Sequence, residues 1–127
     1  MRLILLRHGE TLWNQEHRLQ GHQNSPLSEK GIQQAKAIKP LIEQFSPKYV
    51  VSSDLGRALQ TAEIIGCTNP TQDSELRELA MGEWEGCKSK RLWRKIQGYI
   101  RLGVMVIILR KAAKAGKHSV SVFHRRY

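Results

Sequence analysis

Apolar positions in the first two thirds of the chain fall into two alternating kinds of segment. Leu3, Ile4, Leu5 and Leu6 follow one another without a polar break, which predicts a short, fully buried strand over residues 1–6. Residues 11–26 are polar and turn-rich, through Asn14, Gly21, Asn24, Ser25 and Pro26, and read as a loop with one helical turn. From Ser28, a candidate N-cap, the residues Ile32, Ala35, Ile38, Ile42 and Phe45 recur at three- to four-residue spacing and predict a helix to about Phe45. Pro40 lies inside it, removes one backbone hydrogen bond and is expected to kink it. Residues 48–52, with Tyr49, Val50 and Val51, predict a second strand. Leu55, Ala58, Leu59, Ala62 and Ile65 then share one face of a helix starting near Asp54, with Gly66 as its stop signal.

Strand, helix, strand, helix is the alternation that favours an α/β fold with a parallel sheet covered on both faces. Beyond Gly66 the period is lost. Residues 67–73 have loop composition, residues 74–86 mix acidic and apolar side chains, and residues 93–114 are helical in parts. Within that stretch, residues 100–109 are β-rich and leave helix and strand both open, and residues 119–123 alternate as a short strand does. With 127 residues, one domain is expected over residues 1–127, with no room for a second core.

Apolar content of 40% and charged content of 25% are ordinary for a soluble globular protein. The opening apolar run is too short for a signal peptide, and the later apolar stretch over 102–109 falls far below the ~20 residues that span a bilayer. Cys67 and Cys87 have no metal-ligand spacing and read as reduced thiols, so a cytoplasmic location without a membrane span is expected.

Charge is divided sharply along the chain. Residues 1–86 carry 9 Lys and Arg against 11 Asp and Glu, whereas residues 87–127 carry 12 Lys and Arg and no acid, so the net +10 belongs wholly to the tail. Such asymmetry is a prior for a nucleic-acid or membrane tail. Residues 87–127 read equally as a divergent replacement tail or as a frameshifted or truncated reading frame, the latter favoured because the break falls so abruptly at Cys87. A sheet cut short there would leave an unpaired edge.

Three places can carry chemistry. Arg7 and His8 end the first strand, where α/β proteins bind ligands. An imidazole can take a phosphoryl group covalently while a guanidinium neutralises its oxygens. Ser52, Ser53 and Asp54 end the second strand, and Arg57 falls in the first turn of the next helix, where backbone N–H groups and the helix dipole attract an anion. Glu75-Leu76-Arg77-Glu78, followed by Met81-Gly82-Glu83-Trp84-Glu85-Gly86, offers carboxyl groups able to protonate a leaving oxygen and then activate water.

Together these segments resemble the histidine phosphatase superfamily, the phosphoglycerate mutase-like family. The matching pieces are Leu6-Arg7-His8-Gly9-Glu10-Thr11 with Trp13 and Asn14, Leu19-Gln20-Gly21, Ser25-Pro26-Leu27-Ser28-Glu29-Lys30-Gly31, residues 52–62, and Glu75 through Gly86, in the family's order and spacing. They cover residues 1–86. The resemblance implies a three-layer α/β sandwich with a mostly parallel sheet, phosphoglycerate mutase-like and incomplete at the C-terminus. It also implies that His8 is the phosphorylated nucleophile, that Arg7 and Arg57 clamp the phosphate, and that Asn14 contacts the transferring group. Gln20 and Gly21 would line the entrance, and Glu78 would be the proton donor and acceptor, with Glu75 and Glu83 as fallback candidates and Glu85 a bland member of the stretch. No metal or other cofactor is expected, because arginines and imidazoles supply the charge.

The family also requires a second histidine after a late strand, followed by glycine. His124 falls in that position, but Arg125 and Arg126 follow it. The expected activity is a phosphatase acting on small phosphate esters through phospho-His8, since Leu19-Gln20-Gly21 looks more like the phosphatase branch. Phosphoglycerate mutase-type transfer is the alternative, and a third reading is an inactive truncated member whose basic tail binds polyanions. Trp93 and Tyr99 among the cations are able to stack on bases, yet a charge run is usually a solvated face, so the expected partner is a small phosphorylated substrate rather than nucleic acid.

Overall fold

A computed structural model of the chain describes residues 2–91, 94, 105–110 and 119–123. Strand β1 is Arg2–Arg7, the single helical turn α1 is Leu12–Gln15, helix α2 is Glu29–Phe45, β2 is Tyr49–Ser52, and helix α3 is Gly56–Ile64. They are followed by β3 (Thr71–Gln72), two 3-10 turns at Ser74–Leu76 and Gly82–Trp84, β4 (Met105–Arg110) and β5 (Ser119–Phe123). The sheet order is β3-β2-β4-β1-β5. Strand β4 is antiparallel to both β1 and β2, while β5 is parallel to β1 and β3 to β2. Four strands therefore run one way and β4 alone runs the other, so the sheet is mostly parallel, as expected.

Each local element follows from its sequence. Ser28 caps α2 by accepting a hydrogen bond from the Gly31 N–H, and the helix runs on through Pro40. Gly66, at φ +94°, stops α3 where expected. Helix α3 starts at Gly56, close to the expected start near Asp54, with Leu55 at its N-cap and the Asp54 carboxylate paired with Arg77 on the acidic segment. The two-residue β3 lay hidden in a stretch of loop composition; it is an exposed edge pairing set by β2. The ambiguous stretch over 100–109 resolves at its end into strand β4, paired on both sides.

The core joins β1 to both long helices. Ile4 and Leu6, on one face of β1, form a single cluster with Ala35 and Ile42 of α2 and with Ala62 and Ile65 at the end of α3. Leu3 and Leu5 alternate to the other face and are half-buried. Both α2 and α3 thus pack on the same face. Burying side chains such as Ile4 and Ile42 contributes about 1.5–3 kcal/mol each, and it holds the carboxyl ends of β1 and β2 at the same edge of the sheet, with β4 between them. No helix among the described residues is long and apolar enough to cross a membrane, and Cys67 and Cys87 are free thiols.

Candidate active site

Because β1 and β2 point the same way, His8 and the Ser52–Asp54 turn emerge at one edge of the sheet. Strand β1 ends at Arg7, and the chain then crosses against the first turn of α2 before entering α1. A Cβ on Gly9 would sit 2.7 Å from the Gly31 carbonyl oxygen, and one on Gly31 would sit 2.0 Å from that of Glu10, so two glycines at the crossing let the backbones touch. The turn is pinned further by Ser28 N–H donating to the Glu10 carbonyl at 2.9 Å, and by Gly9 N–H donating to Thr61 Oγ1 at 3.1 Å. Thr61 in turn donates to the Arg57 carbonyl at 2.8 Å, which ties the histidine loop to α3.

His8 is 4% exposed, and its Nδ1 lies 2.6 Å from the Gly9 carbonyl oxygen. A carbonyl only accepts, so Nδ1 carries the hydrogen and Nε2 the lone pair. Burial, with the positive charges of Arg57 and Arg7, lowers the imidazole pKa to about 3 against the pull of the Gly9 carbonyl. At neutral pH the ring is therefore uncharged, with the lone pair on Nε2.

Arg57 is 1% exposed. Its Nη1 donates to the Gln23 carbonyl at 2.9 Å and its Nη2 to the Gly21 carbonyl at 2.7 Å, while its backbone N–H donates to Asn24 Oδ1 at 2.8 Å. That last bond occupies a helix-start N–H that the sequence left open for an anion; Arg57 brings its charge through the side chain instead. Burial lowers its pKa to about 10, with Glu78 and Glu85 opposing the shift and Arg7 adding to it, so it stays charged at neutral pH. Its Nε is buried with no hydrogen-bond partner among the described residues. A buried guanidinium N–H in that condition suits an anion.

Glu78 is half-buried, and burial raises its carboxyl pKa although the Leu79 N–H and the charges of Arg57 and Arg7 pull it down. The charges of Arg57 and Arg7 thus act on both His8 and Glu78. The bidentate pair of Arg77 with Asp54, at 2.6 Å from Nε to Oδ1, clips the acidic segment to the start of α3. Arg77 also holds the Asp54 carboxyl below the usual carboxylate range.

Gln20 is buried; its Nε2 donates to Thr11 Oγ1 at 2.7 Å, and its Oε1 has no partner among the described residues. Asn14 closes a capping box with Thr11, its Oδ1 accepting from the Thr11 N–H at 3.0 Å, which leaves its amide N–H groups as the donors on offer. Glu75 and Glu83 are exposed. His124 lies outside the described residues. Among the described residues no group of three or more His, Cys, Asp or Glu is placed to hold a metal.

Some of the framework escapes a reading of local sequence. Thr61, Asn24 and the Gly9–Gly31 crossing act between segments far apart in the chain, and only a helix-interior threonine and a paired glycine spacing hint at them. His22 and Glu85 likewise join the segments that carry Gly21 and Glu78.

The site thus combines a neutral buried imidazole, two arginines and a carboxyl whose pKa is raised, at the carboxyl edge of an α/β sheet. The chain belongs to the histidine phosphatase superfamily (branch 1), which it matches over residues 3–102, continuing past Gly86. It is 45% identical over 105 residues to the "Probable phosphoglycerate mutase GpmB" of Salmonella choleraesuis, covering 80% of this chain and 48% of that one. Among solved structures, Bacillus stearothermophilus YhfR shares 43% identity at a TM-score of 0.65, over 78% of this chain and 50% of the other. The mycobacterial glucosyl-3-phosphoglycerate phosphatase shares 37% at a TM-score of 0.64, over 79% and 50%. The phosphoserine phosphatase of Entamoeba histolytica, solved with 3-phosphoglyceric acid, shares 36% at a TM-score of 0.63, over 72% and 47%. These neighbours share the phosphoglycerate mutase-like α/β fold, and the chain spans about half the length of the curated relatives it matches.

Proposed function

We propose that the chain hydrolyses small phosphate esters through a phosphohistidine on His8. Nε2 of His8 attacks phosphorus, the N–P bond forms as the ester O–P bond breaks, and protonated Glu78 gives its proton to the departing alcohol oxygen. Arg7 and Arg57 balance the charge on the phosphoryl oxygens, and an Asn14 amide N–H donates to one of them. In the second half, the Glu78 carboxylate takes a proton from water as its oxygen attacks phosphorus and the N–P bond breaks. Gln20 and Gly21 border the approach. The reading is carried by the 2.6 Å contact of His8 Nδ1 with the Gly9 carbonyl, which leaves Nε2 as a neutral nucleophile.

Mutase-type transfer is the second reading, favoured by the name of the Salmonella relative. It differs only in the acceptor: a bound hydroxy acid in place of water. Incubation with phosphoglycerate separates the two, since inorganic phosphate marks the hydrolase and the positional isomer marks the mutase.

The deciding experiment on the shared half-reaction is labelling of the purified chain with a phosphate ester. Acid-labile, base-stable phosphate on the wild-type protein, lost in His8→Ala, is the expected result. No label, or label that survives His8→Ala, overturns the proposal.

A further inference from the structure

The acidic segment holds a carboxylate that the reaction above does not use. Oε1 of Glu85 accepts hydrogen bonds from the His22 N–H at 2.6 Å and the Met81 N–H at 3.3 Å. One oxygen thus joins the Gly21–His22 stretch to the segment following Glu78. Gly21 makes room for it: a Cβ there would stand 2.1 Å from the same oxygen. Either side of this junction is tied to the site. The Gly21 carbonyl accepts from Arg57 Nη2 at 2.7 Å, and the His22 ring donates from Nε2 to the Glu78 carbonyl at 3.0 Å. Backbone pairing completes the seam, with Gly86 N–H donating to the Leu19 carbonyl at 2.7 Å and Leu19 N–H to the Cys87 carbonyl at 3.1 Å.

We infer that Glu85 is a positioning residue: it locks the loop that holds Arg57 to the segment that carries Glu78, so that phosphate clamp and proton donor stay in register. This rests on the phosphohistidine reading above. Glu85 touches no reacting atom. It works by accepting two backbone N–H groups, a task that needs an oxygen at that reach more than it needs a negative charge. Glutamine keeps such an oxygen. Aspartate keeps the charge but falls one methylene short.

The test uses the full chain with an alkyl phosphate, whose leaving oxygen needs a proton, and an aryl phosphate, whose leaving oxygen does not. Losing register between donor and clamp should lower kcat on the alkyl ester by about tenfold or more, within the range that a general acid supplies, and on the aryl ester far less. Glu85→Ala and Glu85→Asp are expected to show that skew and faster amide hydrogen exchange at His22 and Met81. Glu85→Gln is expected to restore both. If Glu85→Ala does not fold, the Asp and Gln variants decide alone. An unchanged alkyl-to-aryl ratio, unchanged exchange at the two amides, or rescue by Asp rather than Gln overturns the role of Glu85. Failure of the functional reading looks different: the wild-type chain then takes no label at His8.

Discussion

The proton affinity of His8 is set by its surroundings more than by its own chemistry. A histidine in water is half protonated near pH 6.5, whereas His8, buried beside Arg57 and Arg7, is brought to about 3. The linked cost has a definite sign. Between those two values the unfolded chain takes up a proton that the native chain refuses, so unfolding becomes easier as the pH falls from 6.5 towards 3, by on the order of 5 kcal/mol in all. Urea unfolding at pH 7, 5 and 4 should show that loss in the wild type and a shallower one in His8→Gln. A chain whose stability falls equally with and without the imidazole would place the acid sensitivity elsewhere. Arg7-His8 was legible in the sequence as an abrupt end to an apolar run. The depressed pKa was not, because burial and the influence of Arg57 depend on groups 49 positions apart in the chain.

Among the elements, α3 does more than present Arg57. Thr61, one turn further on, accepts from the Gly9 N–H and donates to the Arg57 carbonyl, so a single hydroxyl ties the histidine loop to the clamp helix. Thr61→Val keeps the shape and removes the hydroxyl, stranding a buried N–H at Gly9. The expected cost is about 1–3 kcal/mol in denaturant unfolding, accompanied by slower labelling of His8. A variant as stable as the wild type would mean that Gly9 finds another acceptor. The elements themselves were mostly readable: the Ser28 cap, the apolar stripe of α2 and the Gly66 stop all fall where their residues dictate. Strand β3 was not, since it depends on pairing with β2.

For the molecule as a whole, the site gathers positive charge around His8. Arg57 and Arg7 both make His8 harder to protonate, Arg7 makes Arg57 harder to keep charged while Glu78 and Glu85 oppose that, and Arg57 Nε lacks a partner among the described residues. An anion in that centre should therefore stabilise the native state. Inorganic phosphate or vanadate at about one hundred times its Kd is expected to raise the unfolding free energy by about 2.7 kcal/mol, and Arg57→Met to abolish the gain. A stabilisation that persists in Arg57→Met would put the anion elsewhere, the basic stretch over 87–127 being the obvious place. What the sequence determined by itself is the alternation of strand and helix, and with it the α/β class, the placing of Arg7, His8 and Arg57 at element ends, and Glu78 in an acidic segment. Local periodicity and spacing carry such information because they act over a few residues. Tertiary structure alone decided the order β3-β2-β4-β1-β5, the antiparallel course of β4, the seam from Glu85 to His22 and the burial that leaves His8 uncharged. Each of these depends on which distant segments come to lie together, and that is set by the packing of the whole chain.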